Sequence, residues 1–373
     1  MNTGAVYASP EYLLFSDGDK LLGQAFDEKR LEVSGQPFLV AEHVGRSTTF
    51  RSAVSASGND TIAYADSLTA NGRLTWFDRS GKASGSVGQE GYYSDFNISP
   101  DQKSVAGSLL DFKTGGVDLW MTDLLRGGTI RFTNTPGGLL SASAIWSPDG
   151  KRVAFRTNIV TSNEIYQRSA SGGGNNEPLM TQESLRAGQV NSGNILPSDW
   201  SPDGQHILFS VPAGSGNDIW LLPLTGDRKP IKFLATPADE LHGNFSPDGH
   251  FVAYTSNASG KFEVYVQTFP LSDLKKQVST TNGGYEPRWR ADGREIYYLS
   301  EDRKLMAVSV GPGPSFGVPQ PLFQTRVAAG VTAIRTHYVP NRDGQRFLIN
   351  TQIADPAPTP ITVVLNWTSG LKQ

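Results

Sequence analysis

One four-residue sequence, Ser-Pro-Asp-Gly, occurs three times in this chain, at positions 147–150, 201–204 and 246–249. Each copy follows an aromatic residue and precedes a short apolar run, "RVAF", "HILF" or "FVAY". Serine first, proline second and glycine fourth suit a type I turn, because proline presets φ and glycine closes the turn without strain. The flanking residues are rich in β-branched and aromatic side chains, as strands are. Each copy therefore predicts a β-hairpin.

The turn belongs to a longer repeat that runs along most of the chain. A third strand that usually opens with an acidic residue comes after the hairpin, and then a shorter fourth strand. Aligned turn aspartates lie 44 to 54 residues apart, at Asp101, Asp149, Asp203, Asp248, Asp292 and Asp343. Repeats of about 40–50 residues with several strands and no helical periodicity are typical of propeller blades. The sequence therefore predicts an all-β fold, a β-propeller of four-stranded antiparallel blades in which the turn joins the first two strands.

We count about eight repeat units, with a seven-bladed propeller as the alternative, in a single domain over residues 1–373. A propeller must join its last blade to its first, so we expect residues 3–8 to complete the C-terminal sheet or dock on it. The polar insertion at 181–196 is expected to be an exposed, mobile loop. The predicted units span 4–44, 48–90, 92–137, 142–183, 197–237, 242–281, 285–325 and 332–367.

Composition excludes several classes of function. A net charge of −3 gives no electrostatic reason to expect a nucleic acid or an anionic membrane as partner. The chain has no cysteine, so neither disulfides nor a cysteine-based zinc site can form. No apolar run approaches the length of a membrane span, and "MNTGAVYASP" does not resemble an export signal. No cofactor and no metal are predicted.

Longer phrases carry a family resemblance over essentially the whole chain. "WSPDGKRVAF", "FSPDGHFVAYTSNASGKFEVYVQTFP" and "PRWRADGREIYYLSEDRKLMAVSV" resemble the PD40, or TolB-like, repeats of bacterial propellers. "LTWFDRSGK", "LPLTGDRKP" and "QRFLINTQ" are similar to the C-terminal propeller region of bacterial eukaryotic-like serine/threonine kinases. The resemblance implies a sensory or scaffolding role on the extracytoplasmic, periplasmic side of the membrane.

Catalytic motifs point away from an enzyme. The kinase glycine-rich loop and the His-Arg-Asp motif are absent, and Lys113 in Asp111-Phe112-Lys113 stands where a kinase has glycine. A Gly-x-Ser-x-Gly match at 313–317 has prolines and strand character around Ser315. The nucleophile elbow of a hydrolase needs a strand before its serine and a helix after it. We therefore predict no catalytic residue in this chain.

Candidate binding residues come from the places where the repeats differ. The segments that lead into each first strand gather at one mouth of a propeller channel, and such loops commonly carry binding sites. A mixed set of aromatic, acidic and basic side chains suits a polar or peptide ligand. The predicted ligand-binding residues are Tyr93, Asp95, Asp199, His242, Tyr285, Glu286 and Arg288, with Arg335 and His337 in the same group of segments.

Other titratable residues are interpreted as structural. The acids that open the third strands recur with the blade, which favours pairing within or between blades. His206 and His250 come after the turn where other copies have lysine or arginine, and a solvated corner is the expected role. The recurring acids are Asp118, Glu164, Asp218 and Glu263.

The predicted function is non-catalytic binding of a protein, peptide or small polar ligand by a monomeric propeller. Two alternatives stay open. One is a stand-alone periplasmic TolB-like interaction protein, and the other is a propeller hydrolase or lyase with carboxylates paired across its channel.

Overall fold

The computed structural model describes residues 4–17, 20–45, 52–65, 72–111, 116–135, 139–159, 162–190, 193–214, 216–280, 282–313, 315–334, 336–353 and 360–371. Within these ranges the chain forms 32 strands, one short α-helix and one 3₁₀ helix. The predicted all-β fold of four-stranded antiparallel sheets is confirmed. No helix in the described ranges is long and apolar enough to span a membrane.

The N-terminal strands form one complete sheet and parts of two others. The first four strands pair in chain order, whereas the next four form two pairs, each of which joins a strand from the last part of the chain. These strands are β1 Val6–Ala8, β2 Tyr12–Asp17, β3 Lys20–Asp27, β4 Glu32–Ala41, β5 Val54–Ala56, β6 Thr61–Ala65, β7 Gly72–Asp78 and β8 Ala83–Gly91.

The central part of the chain folds into consecutive antiparallel sheets, each made from one repeat unit. The helix α1, Gln182–Gly188, lies between the second and third of them. The strands are β9 Tyr93–Ile98, β10 Ser104–Asp111, β11 Gly116–Asp123, β12 Thr129–Arg131, β13 Ser141–Trp146, β14 Arg152–Ile159, β15 Ser162–Ser169, β16 Glu177–Met180, β17 Leu196–Trp200, β18 His206–Ala213, β19 Gly216–Pro223, β20 Ile231–Leu234, β21 Glu240–Phe245, β22 Phe251–Ser256, β23 Glu263–Thr268 and β24 Lys275–Gln277.

The last strands complete one further sheet and then return to the N-terminal strands. A 3₁₀ helix, Trp367–Leu371, ends the described chain. The strands are β25 Tyr285–Trp289, β26 Glu295–Leu299, β27 Lys304–Gly311, β28 Ser315–Phe316, β29 Gln320–Gln324, β30 Tyr338–Pro340, β31 Arg346–Gln352 and β32 Ile361–Leu365.

Six sheets pack face to face in a closed ring. We number them blade 1 (β9–β12), blade 2 (β13–β16), blade 3 (β17–β20), blade 4 (β21–β24), blade 5 (β25–β29) and blade 6 (β30, β31, β7 and β8). A separate hydrophobic cluster fills each junction between neighbouring blades. Leu74 and Leu348 of blade 6 pack with Phe96 of blade 1, which closes the ring.

Blade 6 differs from the predicted units. Strand β31 pairs with β7 over the register Arg346↔Asp78 to Gln352↔Gly72, so two C-terminal strands and two N-terminal strands share one sheet. Strand β32 in turn pairs with β6. The units predicted at 48–90 and 332–367 are therefore wrong as separate blades, because their strands are exchanged. The described residues do form eight sheets, but only six of them make the ring.

The remaining two sheets, β1–β4 and β32–β6–β5, pack against each other. Ala8, Leu14 and Trp367 share their hydrophobic cluster, and the rings of Tyr12 and Trp367 lie 5.3 Å apart. The N-terminal sheet thus docks near the C-terminal strand, as one of the two expected arrangements requires. Its first strand does not complete a C-terminal sheet, because β1 pairs with β2.

The Ser-Pro-Asp-Gly turn has the expected position and geometry. In blade 2 the Gly150 N–H donates to the Ser147 carbonyl at 2.8 Å, and Gly150 has φ +69°. Asp149 Oδ1 accepts from Ser147 Oγ at 2.6 Å and from the Lys151 N–H at 3.0 Å. The carboxylate therefore fastens the corner between the first and second strands. We call the face that carries these turns the corner face.

The insertion at 181–196 is not the expected exposed loop where the structure describes it. Thr181 caps α1 by accepting from the Ser184 N–H. Leu185, Val190 and Ile195 enter the cluster between blades 2 and 3. Burial of three apolar side chains stabilises this segment against blade 3.

Most of the third-strand acids are satisfied by nearby groups, as a structural role requires. Asp118 accepts from Thr133 Oγ1 at 2.7 Å and forms an ion pair with Arg131. Glu164 accepts from the Gln182 N–H at 3.1 Å.

Candidate functional site

The first strands of the blades surround one polar cavity of about 50 Å³. A cavity of this size holds only a few water molecules. Every blade reaches it either with its first strand or with the segment before that strand, so the cavity lies on the propeller axis. Its polar lining includes Asp95, Ser143, Ser198, His242, Arg288 and Thr336.

Bulges in the first strands turn particular residues toward neighbouring blades. The pairing register shifts between Ala142 and Ile145, between Leu241 and Asn244, and between Tyr285 and Arg288. Ser143, His242 and Glu286, inside these bulges, have φ values of 57°, 56° and 54°. Non-glycine residues rarely adopt this left-handed conformation, and bulges commonly redirect side chains at functional rims.

Asp95 connects blade 1 to blade 2. Its carboxylate accepts hydrogen bonds from the backbone N–H groups of Ser143 at 3.0 Å and Ala144 at 3.3 Å. Ser108 Oγ donates to the same carboxylate at 2.7 Å. Asp95 borders the cavity, but its oxygens already have partners that hold two blades together.

Asp199 connects blade 3 to blade 4 in the same way. It accepts from the Phe245 N–H at 2.7 Å and from Asn244 Nδ2 at 2.8 Å. Burial raises the pKa of Asp199 to about 6, although the hydrogen bond from Phe245 opposes this shift. This carboxyl group is therefore mostly ionised at pH 7 and becomes protonated as the pH falls through about 6.

Glu286 connects blade 5 to blade 6 through His337. The two side chains are each 1% exposed, with Nδ1 of His337 2.5 Å from Oε1 of Glu286. The His337 N–H also donates to Oε2 at 2.9 Å. Burial alone would raise the pKa of Glu286, but the attraction and hydrogen bonds of His337 outweigh burial and lower it.

His242 links the mouth of the cavity to the segment before β30. Its Nε2 lies 2.9 Å from the Thr332 carbonyl, which can only accept, so Nε2 carries the proton. Its Nδ1 lies 3.2 Å from Thr255 Oγ1, and this hydroxyl also accepts from the Glu286 N–H. Burial lowers the pKa of His242, which keeps the ring neutral at pH 7.

The two predicted tyrosines lie in the hydrophobic core rather than in the cavity. Tyr93 packs between blades 6 and 1, and its hydroxyl donates to the Gln89 carbonyl at 2.8 Å. Burial raises the pKa of Tyr93 to about 12. Tyr285 packs between blades 5 and 6, and its buried hydroxyl has no partner among the described residues.

The structure thus brings Asp95, His242 and Arg288 to one cavity and places the other four predicted residues behind its wall. The sequence analysis named Arg335 and His337 in the segment before β30, but it missed Ala333, Ile334 and Thr336 of the same segment, which line the cavity. The Thr336 N–H donates to the Ser94 carbonyl at 3.2 Å, so this segment crosses the mouth between blades 4 and 1. Arg335 lies outside the described residues.

The Gly-x-Ser-x-Gly match at 313–317 lies between strands β27 and β29 in the described part of the chain. Ser315 is exposed on the two-residue strand β28 and donates to the Pro312 carbonyl at 3.3 Å. The next described element is strand β29, not the helix that a nucleophile elbow needs. Pro314, Phe112 and Lys113 lie outside the described residues. Within the described ranges no three His, Asp or Glu residues cluster as metal ligands do.

Comparison with known proteins places the chain beside TolB-like propellers. No family model matches it. The Tol-Pal system protein TolB of Francisella tularensis subsp. mediasiatica (strain FSC147) is 21% identical over 171 residues, which cover 45% of this chain and 37% of that protein. The uncharacterized peptidase YuxL of Bacillus subtilis (strain 168) is 24% identical over 183 residues, 48% of this chain and 24% of that protein. The matched region thus spans well under half the length of these curated relatives.

A solved structure supports the same fold. A putative TolB from Agrobacterium tumefaciens superposes with a TM-score of 0.59 at 15% identity, covering 77% of this chain and 99% of that one. At this identity the likeness shows the fold alone. The chain is therefore a TolB-like β-propeller in its architecture.

Proposed function

We propose that this chain is a non-catalytic propeller that binds a protein, peptide or small polar ligand at the mouth of its central cavity. The observation that carries the proposal is the convergence of all six blades on one polar cavity bordered by Arg288 and His242. Arg288 supplies a cation and His242 a neutral imidazole, a combination that suits carboxylate or main-chain groups of a ligand. Asp95, at the same wall, positions blade 2.

The hydrogen bonds of the carboxylates favour binding over catalysis. A glycosidase needs two carboxylates that face its substrate. Asp95, Asp199 and Glu286 instead accept backbone hydrogen bonds from the next blade. Their role in this proposal is to hold the ring rigid, so that the mouth is preformed for its ligand.

The finer proposal rests on the family resemblance. We infer that the propeller is the extracytoplasmic sensory or scaffolding part of a receptor-type serine/threonine kinase, with a stand-alone periplasmic TolB-like protein as the alternative. The gene region upstream of Met1 distinguishes them. An in-frame kinase with a membrane span supports the first, and an export signal directly before the propeller supports the second.

Photo-crosslinking in the source cells tests the binding site. A photoreactive amino acid at Ile334, which lies at the mouth and is 41% exposed, should capture a defined partner. The same group at Leu125, in the β11–β12 turn on the opposite face, is the control. Arg288→Ala should reduce the Ile334 crosslink in a protein whose melting temperature is unchanged. Equal capture from both positions would contradict a site at the mouth.

Enzyme assays test the non-catalytic part of the proposal. With ester, peptide, glycoside and kinase substrates we expect no turnover above that of a Glu286→Gln and Ser315→Ala double variant. Turnover that the double variant loses, in a chain that remains folded, would establish an enzyme.

A further inference from the structure

A groove on the corner face, between blades 3 and 4, lies apart from the central cavity. Its volume is about 620 Å³. Blade 3 contributes the Asp203 corner and strand β20, and blade 4 contributes the Asp248 corner and the residues directly after β23. This volume accommodates one or two large side chains of a polypeptide.

The floor of the groove is aromatic. The ring of Phe269 lies 5.1 Å from that of Phe245, 5.9 Å from Phe233 and 5.5 Å from His206. Ile231 of blade 3 and Leu271 of blade 4 also line the groove, 52% and 54% exposed. An inserted apolar side chain would cover both exposed aliphatic groups and the floor together.

Two carboxylates flank this apolar floor. Asp203 and Asp248 each use Oδ1 to fasten their turns, accepting from Ser201 and Ser246 at 2.5 Å. Their Oδ2 atoms have no hydrogen-bond partner in the described part of the chain. Burial raises the pKa of each group, but the serine hydrogen bond, a backbone hydrogen bond and the nearby histidine together outweigh burial. Both pKa values are therefore lowered, and both groups are ionised at pH 7.

The groove differs from the other corners in the residues directly after the turn. Lys103 comes after the corner of blade 1, and Lys151 and Arg152 come after that of blade 2. His206 and His250 take their place in blades 3 and 4, so neither aspartate has a lysine or arginine directly after its turn. The sequence predicts solvated corners for these histidines, yet both line the groove, and the Nδ1 of His206 is buried without a partner among the described residues.

The next groove, between blades 4 and 5, provides an internal comparison. It has a volume of about 430 Å³ and shares Asp248. There Arg290 donates to both oxygens of Asp292, at 2.6 and 2.8 Å. In the first groove the basic residue is Lys232, whose Nζ lies 5.5 Å over the Trp220 ring. Two aspartates and one lysine leave that groove with a net negative charge.

We propose that the groove between blades 3 and 4 binds a partner polypeptide through an apolar side chain next to a lysine or arginine. The apolar side chain packs on Phe269 between Ile231 and Leu271. The basic side chain pairs with the open oxygens of Asp203 and Asp248. The groove lies on the opposite face from the cavity mouth, so this interaction is independent of ligand binding there.

Methyl NMR of the full chain, with labelled isoleucine and leucine, tests this proposal. The probe is the N-acetylated peptide amide Gly-Ser-Phe-Arg-Ser-Gly, with glutamate for arginine and serine for phenylalanine as matched controls. We expect the probe to shift the methyl signals of Leu221, Ile231 and Leu271, and to leave those of Leu125 and Ile334 in place. Both control peptides should bind at least about threefold more weakly than the probe. Added salt should lower the affinity of the probe for the groove.

Aspartate-to-asparagine variants remove the charge of the groove without changing the fold of its corners. Asparagine retains the oxygen that accepts the turn hydrogen bonds. The double variant Asp203→Asn with Asp248→Asn should therefore keep the corners intact, and its affinity for the probe should fall about three- to tenfold. Asp149→Asn, in the same turn of blade 2, should bind as the wild type does. The proposal is wrong if the glutamate peptide binds equally, if the double variant binds as tightly as the wild type, or if saturating probe shifts only Ile334.

Discussion

The carboxylate of Asp199, in blade 3, accepts a 2.7 Å hydrogen bond from the Phe245 N–H in blade 4. Asp95 and Glu286 make the equivalent bond from blade 1 to blade 2 and from blade 5 to blade 6. At three of the six junctions, therefore, an acid in one first strand holds the backbone of the next. A buried carboxylate in this role makes the stability of the ring depend on pH.

Asp199→Asn should change that pH dependence. The pKa of Asp199 is raised to about 6 in the folded chain, above its unfolded value of about 4. The contribution of this group to stability is therefore greatest below about pH 4 and is lost as the pH rises through 6. Relative to the variant, the wild type should lose about 1–3 kcal/mol of unfolding free energy between about pH 4 and pH 7. Urea unfolding at both pH values measures this change, and exposed Asp227→Asn is the control.

Arg79→Ala should loosen the junction between blades 5 and 6. Arg79, in the β7–β8 turn of blade 6, donates to both oxygens of Glu295 in blade 5 at 3.0 and 3.1 Å, and to the Gly344 carbonyl at 3.0 Å. Loss of these partly buried bonds should cost about 1–3 kcal/mol. Arg73→Ala, which removes an exposed pair with Glu90 from the same hairpin, should cost under about 1 kcal/mol. Thermal unfolding compares the two variants. Equal losses of unfolding free energy would show that Arg79 does not hold the junction between blades 5 and 6.

Gly249→Val should destabilise through the backbone alone. Gly249 has φ +75°, and no atom lies within 4 Å of the position its Cβ would take. The expected loss is about 1–3 kcal/mol. Gly249→Asn should cost less, because asparagine tolerates this conformation. Gly128→Val, where the space is also open and φ is ordinary, is the control. Unchanged melting of Gly249→Val would contradict the turn geometry.

Leu185→Ala should weaken the junction between blades 2 and 3. Leu185 is 1% exposed in α1, and truncation of a buried leucine costs about 2–5 kcal/mol. Arg186→Ala, on the exposed side of the same helix, should change the free energy of unfolding very little. Limited proteolysis provides the second measurement, because Leu185→Ala should open cleavage sites within 182–190 that the wild type protects. Early cleavage there in the wild type would contradict the packing of this helix.

The sequence predicts the repeat well because the repeat is local. Pro148, Asp149 and Gly150 determine one corner through hydrogen bonds within a few residues, and the alternating flanks determine two strands. The pairing of β7 with β31 cannot be predicted from such local patterns, because each strand could equally pair with strands next to it in the sequence. The helix at 182–188 did carry a signal, Thr181 followed three residues later by Ser184 and then the apolar Leu185, but the surrounding glycines and asparagines obscured it.

The candidate site was less predictable than the fold. The positions of the first strands were correct, so Asp95, His242 and Arg288 do border the cavity. The direction of each side chain depends on bulges, and the left-handed conformation of Glu286 has no sequence signature such as glycine. Its turn toward His337 depends on the position of blade 6, which is set by pairing with strands far away along the chain.

The exchanged strands have a consequence for biosynthesis. Asp60, directly before β6, accepts a hydrogen bond from Thr368, 308 residues later. In the same way β7 pairs with β31, which is translated much later. At about 5–20 residues per second, a ribosome needs roughly 15–60 s to cover that distance. During this time β6 and β7 have left the exit tunnel while their partners have not been translated. Nascent chains should therefore expose the unpaired edges of β6 and β7 until β31 and β32 have been translated, which makes that segment a natural binding region for chaperones that hold extended polypeptide.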